Sequence, residues 1–354
     1  MNKIEELLAE RKLPALLRFA DGSEVTAENF EERRAEMVDI LCREVYGYAP
    51  QAPDEVRVTE EKCKKKEFAG KGTVRELRLS FDTDKGEFSF PVKEVVPTGA
   101  ESCPVFVFLN FRPDVPDRYF PTEEILDAGC AVVRIYYNDV AFDGEDGFAQ
   151  GIAAMYDRQK YSWGKIRMWA FAASRVMDYL QTADYADKSR IAVAGHSRLG
   201  KTALLTAATD TRFALACANC SGCTGDALSR MKDGESVKQV CDRFPYWFCD
   251  HYAKYAEKEA EMPFDQHFLV AAIAPRRVAL GAAIEDVWAD PASQYLSACA
   301  ASPAWELFGE KGFVHPDRLP VAGDRLDAGC LAYHLREGTH FFSRADWHRY
   351  LCLI

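Results

Sequence analysis

No run of residues in this 354-residue chain approaches the ~20 consecutive apolar positions that a membrane-spanning helix needs. Positive charge is in short supply as well. Forty-four Lys and Arg stand against 55 Asp and Glu, a formal net charge of −11. That balance argues against a broad nucleic-acid surface, so neither nucleic acid nor a membrane is expected as a partner, and it says nothing about oligomeric state. The chain has no low-complexity linker and no internal repeat, so residues 1–354 read as a single domain. The first eight residues carry carboxylates early and lack a long apolar stretch, which leads us to expect no secretory signal and a cytoplasmic protein. With no such signal, the twelve scattered cysteines read as reduced thiols. Cys217, Cys220 and Cys223 form a C-x2-C-x2-C run, but no second cysteine pair or His-x3–5-His accompanies it. The run therefore reads as small buried side chains at a strand end, and no metal or cofactor is expected.

What the chain does have is 48% hydrophobic and 28% charged residues, enough for a large core. Residues 1–50 form a helical, charged segment in which Met37 to Tyr46 is amphipathic and ends at Gly47. Residues 55–100 hold antiparallel edge strands. There, Thr73–Phe81 and Phe88–Val96 alternate in polarity and are joined through Lys85-Gly86. From residue 103 to 354 the character changes. Pro104–Asn110 and Ala131–Tyr137 are continuous apolar runs of the kind found in strands buried on both faces. A helical pattern over Trp163–Leu180 follows, then strands at 191–194, 213–218, 277–282 and 331–335. Strands alternating with helices predict an α/β fold with a mainly parallel sheet and an antiparallel N-terminal edge.

The most informative segment is Gly195-His196-Ser197-Arg198-Leu199-Gly200, between the strand at 191–194 and a helix over Lys201–Ala208. A serine at a sharp strand-to-helix turn is exposed above the sheet beside backbone N–H groups that can stabilise an oxyanion. The general signature is G-x-S-x-G; here the second glycine comes one residue later. An ordinary helix-capping serine is the alternative. Acyl transfer also needs a base and a group that orients it. Glu285, Asp286 and Asp290 follow the strand at 277–282, and His340 follows the strand at 331–335. The order Ser, acid, His is that of α/β-hydrolases. Of the seven histidines, His340 has the strand-end position a base requires. His334 lies within a strand, the side chain of His196 is expected to point elsewhere, and His251, His267, His315 and His348 lie in helices or loops. Asp286 leads Glu285 as the acid.

The segment Gly195–Leu204 resembles the nucleophile region of glucuronoyl esterases, carbohydrate esterase family 15, especially its bacterial branch. The resemblance extends over residues 103–351 through Tyr136–Asp139, Ser221–Cys223, Ala227–Arg230, Gly234-Glu235, Phe244–Cys249, Asp265–His267, Ile273–Arg276, Glu285–Pro291 and Asp346-Trp347. It implies a three-layer α/β-hydrolase sandwich and a serine-dependent hydrolase of glucuronic acid esters, such as those joining xylan to lignin alcohols. By the same resemblance Arg198 joins the oxyanion hole, and Lys201, Glu235 and Trp288 contact the sugar. Two departures stand out. Cys220 occupies a position where many members carry the triad glutamate, which leaves Asp286 to match the acid used in part of the family. Residues Asn110–Val115 replace a Gly-Asn-His-Thr-like stretch at the mouth of the site. Relatives acting on lignocellulose are usually exported, whereas a cytoplasmic member would process small imported esters. A general carboxylesterase or deacetylase, and an inactive carbohydrate-binding homologue, are the competing readings.

Overall fold

A computed structural model describes residues 2–113 and 120–354. Its frame is one ten-stranded sheet in the order β1-β2-β3-β5-β4-β6-β7-β8-β10-β9. The strands are β1 Arg57–Glu67, β2 Gly72–Thr83, β3 Gly86–Pro97, β4 Cys103–Asn110 and β5 Ala131–Tyr136. They continue with β6 Ala186–His196, β7 Leu215–Asn219, β8 Arg277–Ala283, β9 Arg325–Leu326 and β10 Leu331–Arg336. The six strands from β5 to β10 in the order β5-β4-β6-β7-β8-β10 are parallel. β1, β2 and β3 add an antiparallel edge, and short β9 closes the other side.

The continuous apolar runs become central strands because both faces are covered. Along β4, Val105, Val107 and Leu109 enter one core while Phe106 and Phe108 enter the other. β6 divides in the same way, with Ile191 and Val193 on one side and Ala192 and Ala194 on the opposite side. This is the period-two geometry of a strand applied to a strand with no solvent face. The first core takes residues from helices Lys165–Thr182, Arg198–Thr209 and Pro291–Ala301; the second takes them from Thr122–Asp127 and Arg344–Leu351. The result is three layers. Among the described residues no helix is long and apolar enough to cross a membrane.

Two sequence expectations are adjusted here. β1 is a strand that the alternation pattern did not reveal: all but its first residue are exposed, and it carries Lys62, Lys64, Lys65 and Lys66. Lysines at an edge oppose pairing with another chain. The N-terminal segment is helical only over Lys3–Arg11 and Phe30–Leu41, the latter running into a wider π-turn, Cys42–Tyr46, before Gly47.

The chain builds β5 on one side of β4 and then returns to place β6 on the other. That reversal opens a crevice at the carboxyl ends of β4 and β6, the usual place for a ligand in a sheet of this class.

Candidate active site

At the end of β6 the backbone turns through Ser197, whose φ of 57° and ψ of −126° lie in a region that non-glycine residues rarely occupy. Its N–H donates to the Asn219 carbonyl at 2.8 Å, tying the turn to the end of β7. The helix Arg198–Thr209 starts immediately after it. Both glycines of the motif are explained by space. A Cβ at Gly195 would lie 2.1 Å from the Leu199 carbonyl oxygen, and one at Gly200 would lie 2.9 Å from the Ser221 Cβ. The second glycine falls one residue late because position 200 is where this helix presses on the loop after β7.

β10 delivers His340. Its Nδ1 lies 2.7 Å from the Asp286 Oδ2, and Asp286 stands on the loop after β8. Burial opposes ionisation of Asp286, but the hydrogen bond and charge of His340 outweigh it and hold the carboxyl below its ordinary range. A carboxylate only accepts, so Nδ1 carries the proton and Nε2 keeps its lone pair. Glu285, one residue earlier, is exposed. Arg336, the last residue of β10, fixes the His340 loop. Its guanidinium donates to the carbonyls of Glu337, Thr339 and Phe341, and its Nε lies 2.9 Å from Asp346. The same Asp346 accepts from His334 at 2.8 Å, which gives that strand histidine a structural partner.

His196 departs from expectation. Its ring lies 4.4 Å from that of His340, and its Nδ1 contacts the Asn219 Oδ1 at 2.7 Å. From the sequence its side chain is expected to point elsewhere, but the sharp turn at Ser197 brings the ring to the site. Burial first, and then the neighbouring charge of His340, press its pKa down to about 3.

Arg198 projects beside Ser197 and is ion-paired with buried Asp143. Its guanidinium also lies over the Trp247 ring, 4.6 Å from the centroid. Asp143 accepts from Trp247 Nε1 at 2.7 Å and from the Tyr137 hydroxyl at 3.0 Å. The cation is thus held by an anion that is itself fixed by two donors.

Ser197, Arg198 and His340 line two adjoining hollows. One, of about 320 Å³, also contains Lys201, Glu235, Trp288, Phe244, Trp247 and Asp286. Lys201 is buried and spends two of its three N–H donors on the carbonyls of Ser221 and Cys223. The segments carrying Glu235 and Trp288 are joined by the Glu235 N–H to Trp288 carbonyl bond at 2.9 Å. Gly234 allows this approach, since a Cβ there would lie 2.5 Å from that carbonyl oxygen. The second hollow, of about 340 Å³, is aromatic, with Phe108, Phe111, Phe120, Phe341 and Phe342 beside Asn110 and Arg112. Of the divergent stretch Asn110–Val115, Asp114 and Val115 lie outside the described residues.

Every residue singled out from the sequence as catalytic or sugar-contacting therefore lies at one crevice. Asp143 and Asn219 are the additions. Neither carries a motif, and their roles depend on partners 55 and 23 residues away. The cysteine run is not one ligand set: Cys217 packs in one core and Cys223 in the other.

The family model for fungal glucuronyl esterases matches residues 80–309. Carbohydrate esterase MZ0003, from an unknown prokaryotic organism, is 32% identical over 99% of this chain and 90% of its own length. The 4-O-methyl-glucuronoyl methylesterase 1 of Wolfiporia cocos is 28% identical over 84% of this chain and 72% of its own. The solved structure of a glucuronoyl esterase from Solibacter usitatus matches with a TM-score of 0.89 at 32% identity, covering 97% of each chain.

Proposed function

From the premise that this chain belongs to the glucuronoyl esterases of carbohydrate esterase family 15, we propose that it hydrolyses esters of glucuronic acid with Ser197 as nucleophile. His340 Nε2 removes the Ser197 hydroxyl proton as the oxygen bonds to the ester carbonyl carbon. Asp286 holds the imidazole in the tautomer this requires and balances the imidazolium that forms. Negative charge then develops on the carbonyl oxygen. The Arg198 N–H opening the helix Arg198–Thr209 and the Arg198 guanidinium, both beside Ser197 in the same hollow, are the donors we assign to it. The tetrahedral intermediate collapses, the alkoxide leaves with the proton from His340, and an acyl-enzyme remains. Water, activated by the same imidazole, reverses the sequence and frees glucuronic acid.

The two hollows suit the two halves of such an ester. We assign the uronic acid to the side of Lys201, Glu235 and Trp288, where a cation, a carboxylate and an aromatic face meet sugar hydroxyls and a ring. The alcohol then lies among the phenylalanines. The observation that carries this reading is the 2.7 Å contact of His340 with Asp286 beside a serine in a strained strand-to-helix turn.

The test is hydrolysis of methyl and benzyl glucuronate alongside an aryl acetate, with Ser197→Ala as control. The expected result is turnover of the glucuronate esters, faster for benzyl, that disappears in the variant. Turnover of the acetate alone would retain the serine hydrolase and reject the sugar. Ligand binding without turnover, equal in wild type and variant, would favour a binding protein.

A further inference from the structure

Cys220 sits in the loop after β7, its N–H donating to the Gly281 carbonyl at 2.7 Å, and its side chain is buried. The mechanism above makes no use of its thiol. Yet Cys220 Sγ, an Asp286 carboxylate oxygen and a ring nitrogen of His340 all lie within 4.8 Å of one another. All three residues line the 320 Å³ hollow, and the His340 side chain is 45% exposed. An ion in that hollow can therefore reach them.

A thiolate, an imidazole and a carboxylate form a borderline-soft donor set suited to Zn²⁺. Bond lengths of about 2.0–2.3 Å in tetrahedral geometry place donor atoms about 3.5 Å apart. Closing from separations of at most 4.8 Å requires only small side-chain movements, and the hollow that the three residues line can supply water as the fourth ligand. We infer that Cys220, Asp286 and His340 form an inhibitory site for Zn²⁺ or a similar thiophilic divalent ion.

The chemistry gives a definite mode of inhibition. The ion takes the His340 Nδ1 lone pair, so the proton of the neutral ring moves to Nε2. Nε2 then donates and no longer accepts the Ser197 proton. Cys220 loses its thiol proton to solvent as the S–Zn bond forms, so one proton is released per ion bound to the neutral-histidine form. Ion binding stands independently of the esterase assignment; only the loss of activity rests on it.

Calorimetric titration of the Ser197→Ala protein with ZnCl₂, in buffers of different ionisation enthalpy, reads binding without turnover. One ion bound, with the Cys220 thiol proton passed to the buffer as the S–Zn bond forms, is expected. Cys220→Ser and Cys220→Ala should each weaken binding by about tenfold or more. Thermal unfolding of the zinc-free variants identifies one that has failed to fold. A Cys63→Ser/Cys352→Ser protein, lacking two exposed thiols that do not line the hollow, should bind as the parent does. For the enzyme, zinc should suppress glucuronate ester hydrolysis, and a chelator should restore it. Equal zinc affinity with and without the Cys220 thiol overturns the site, as does binding abolished in the Cys63/Cys352 protein. Binding with undiminished turnover in an active enzyme overturns the role of His340 as a ligand.

Discussion

Glu285 and Asp286 are adjacent carboxylates in opposite surroundings. Asp286 is buried against His340, and Glu285 reaches into solvent. Asp286→Asn preserves shape but presents a donor to Nδ1 and selects the wrong tautomer, so kcat should fall by about 10³–10⁴-fold. Glu285→Gln should stay within about twofold, as surface changes commonly do. Parallel kcat measurements on glucuronate ester decide this, and equal small losses would remove Asp286 as the orienting acid. His196 gives a prediction in pH. Its folded-state pKa is about 3, against an unpaired value of 6.5, so the unfolded chain takes up the proton first. Its contribution is intact above pH 6.5, and stability is lost as pH falls from there towards 3. His196→Gln should flatten the slope of unfolding free energy against pH in that window. Denaturant melts at several pH values measure it, and identical slopes would show that His196 titrates normally.

At the scale of elements, the strand-to-helix turn is the part with least room. Gly195→Ala places a methyl against the Leu199 carbonyl oxygen, a rigid backbone atom in the first turn of the helix. The turn must open, which should cost about 1–3 kcal/mol. Because Ser197 moves with it, activity should drop even at temperatures where the variant remains folded. Chemical denaturation together with kcat tests both consequences; a stable and fully active variant would refute the packing account. The His340 loop depends in the same way on a partner outside itself, since Arg336 gathers three of its carbonyls while anchored to Asp346 on the helix Arg344–Leu351.

Over the whole molecule, the second core supports the site directly. Trp347 is fully buried and packs on Phe106, Phe108, Phe120 and Phe342, with ring centroids 4.9–5.6 Å apart. Phe108, Phe120 and Phe342 also form part of the aromatic hollow. Trp347→Ala should cost about 3–5 kcal/mol through lost contacts and the cavity left behind. It should also impair esters with large aromatic alcohols more than the methyl ester. A shift in unfolding midpoint without that change in preference would mean that core and hollow are mechanically separate. The sequence by itself determined the α/β class, the central strands, the turn at Ser197 and the strand ends that carry Asp286 and His340, because burial periodicity and turn chemistry are local properties. It left β1 unseen, since a strand with no buried face has no periodic signal. The tertiary structure decided which carboxylate meets His340, that His196 lies against it, and that Asp143 holds Arg198. Those pairings join residues 54, 144 and 55 positions apart along the chain. They arise only when the switch in strand order gathers the ends of several strands at one crevice, and no local pattern encodes that convergence.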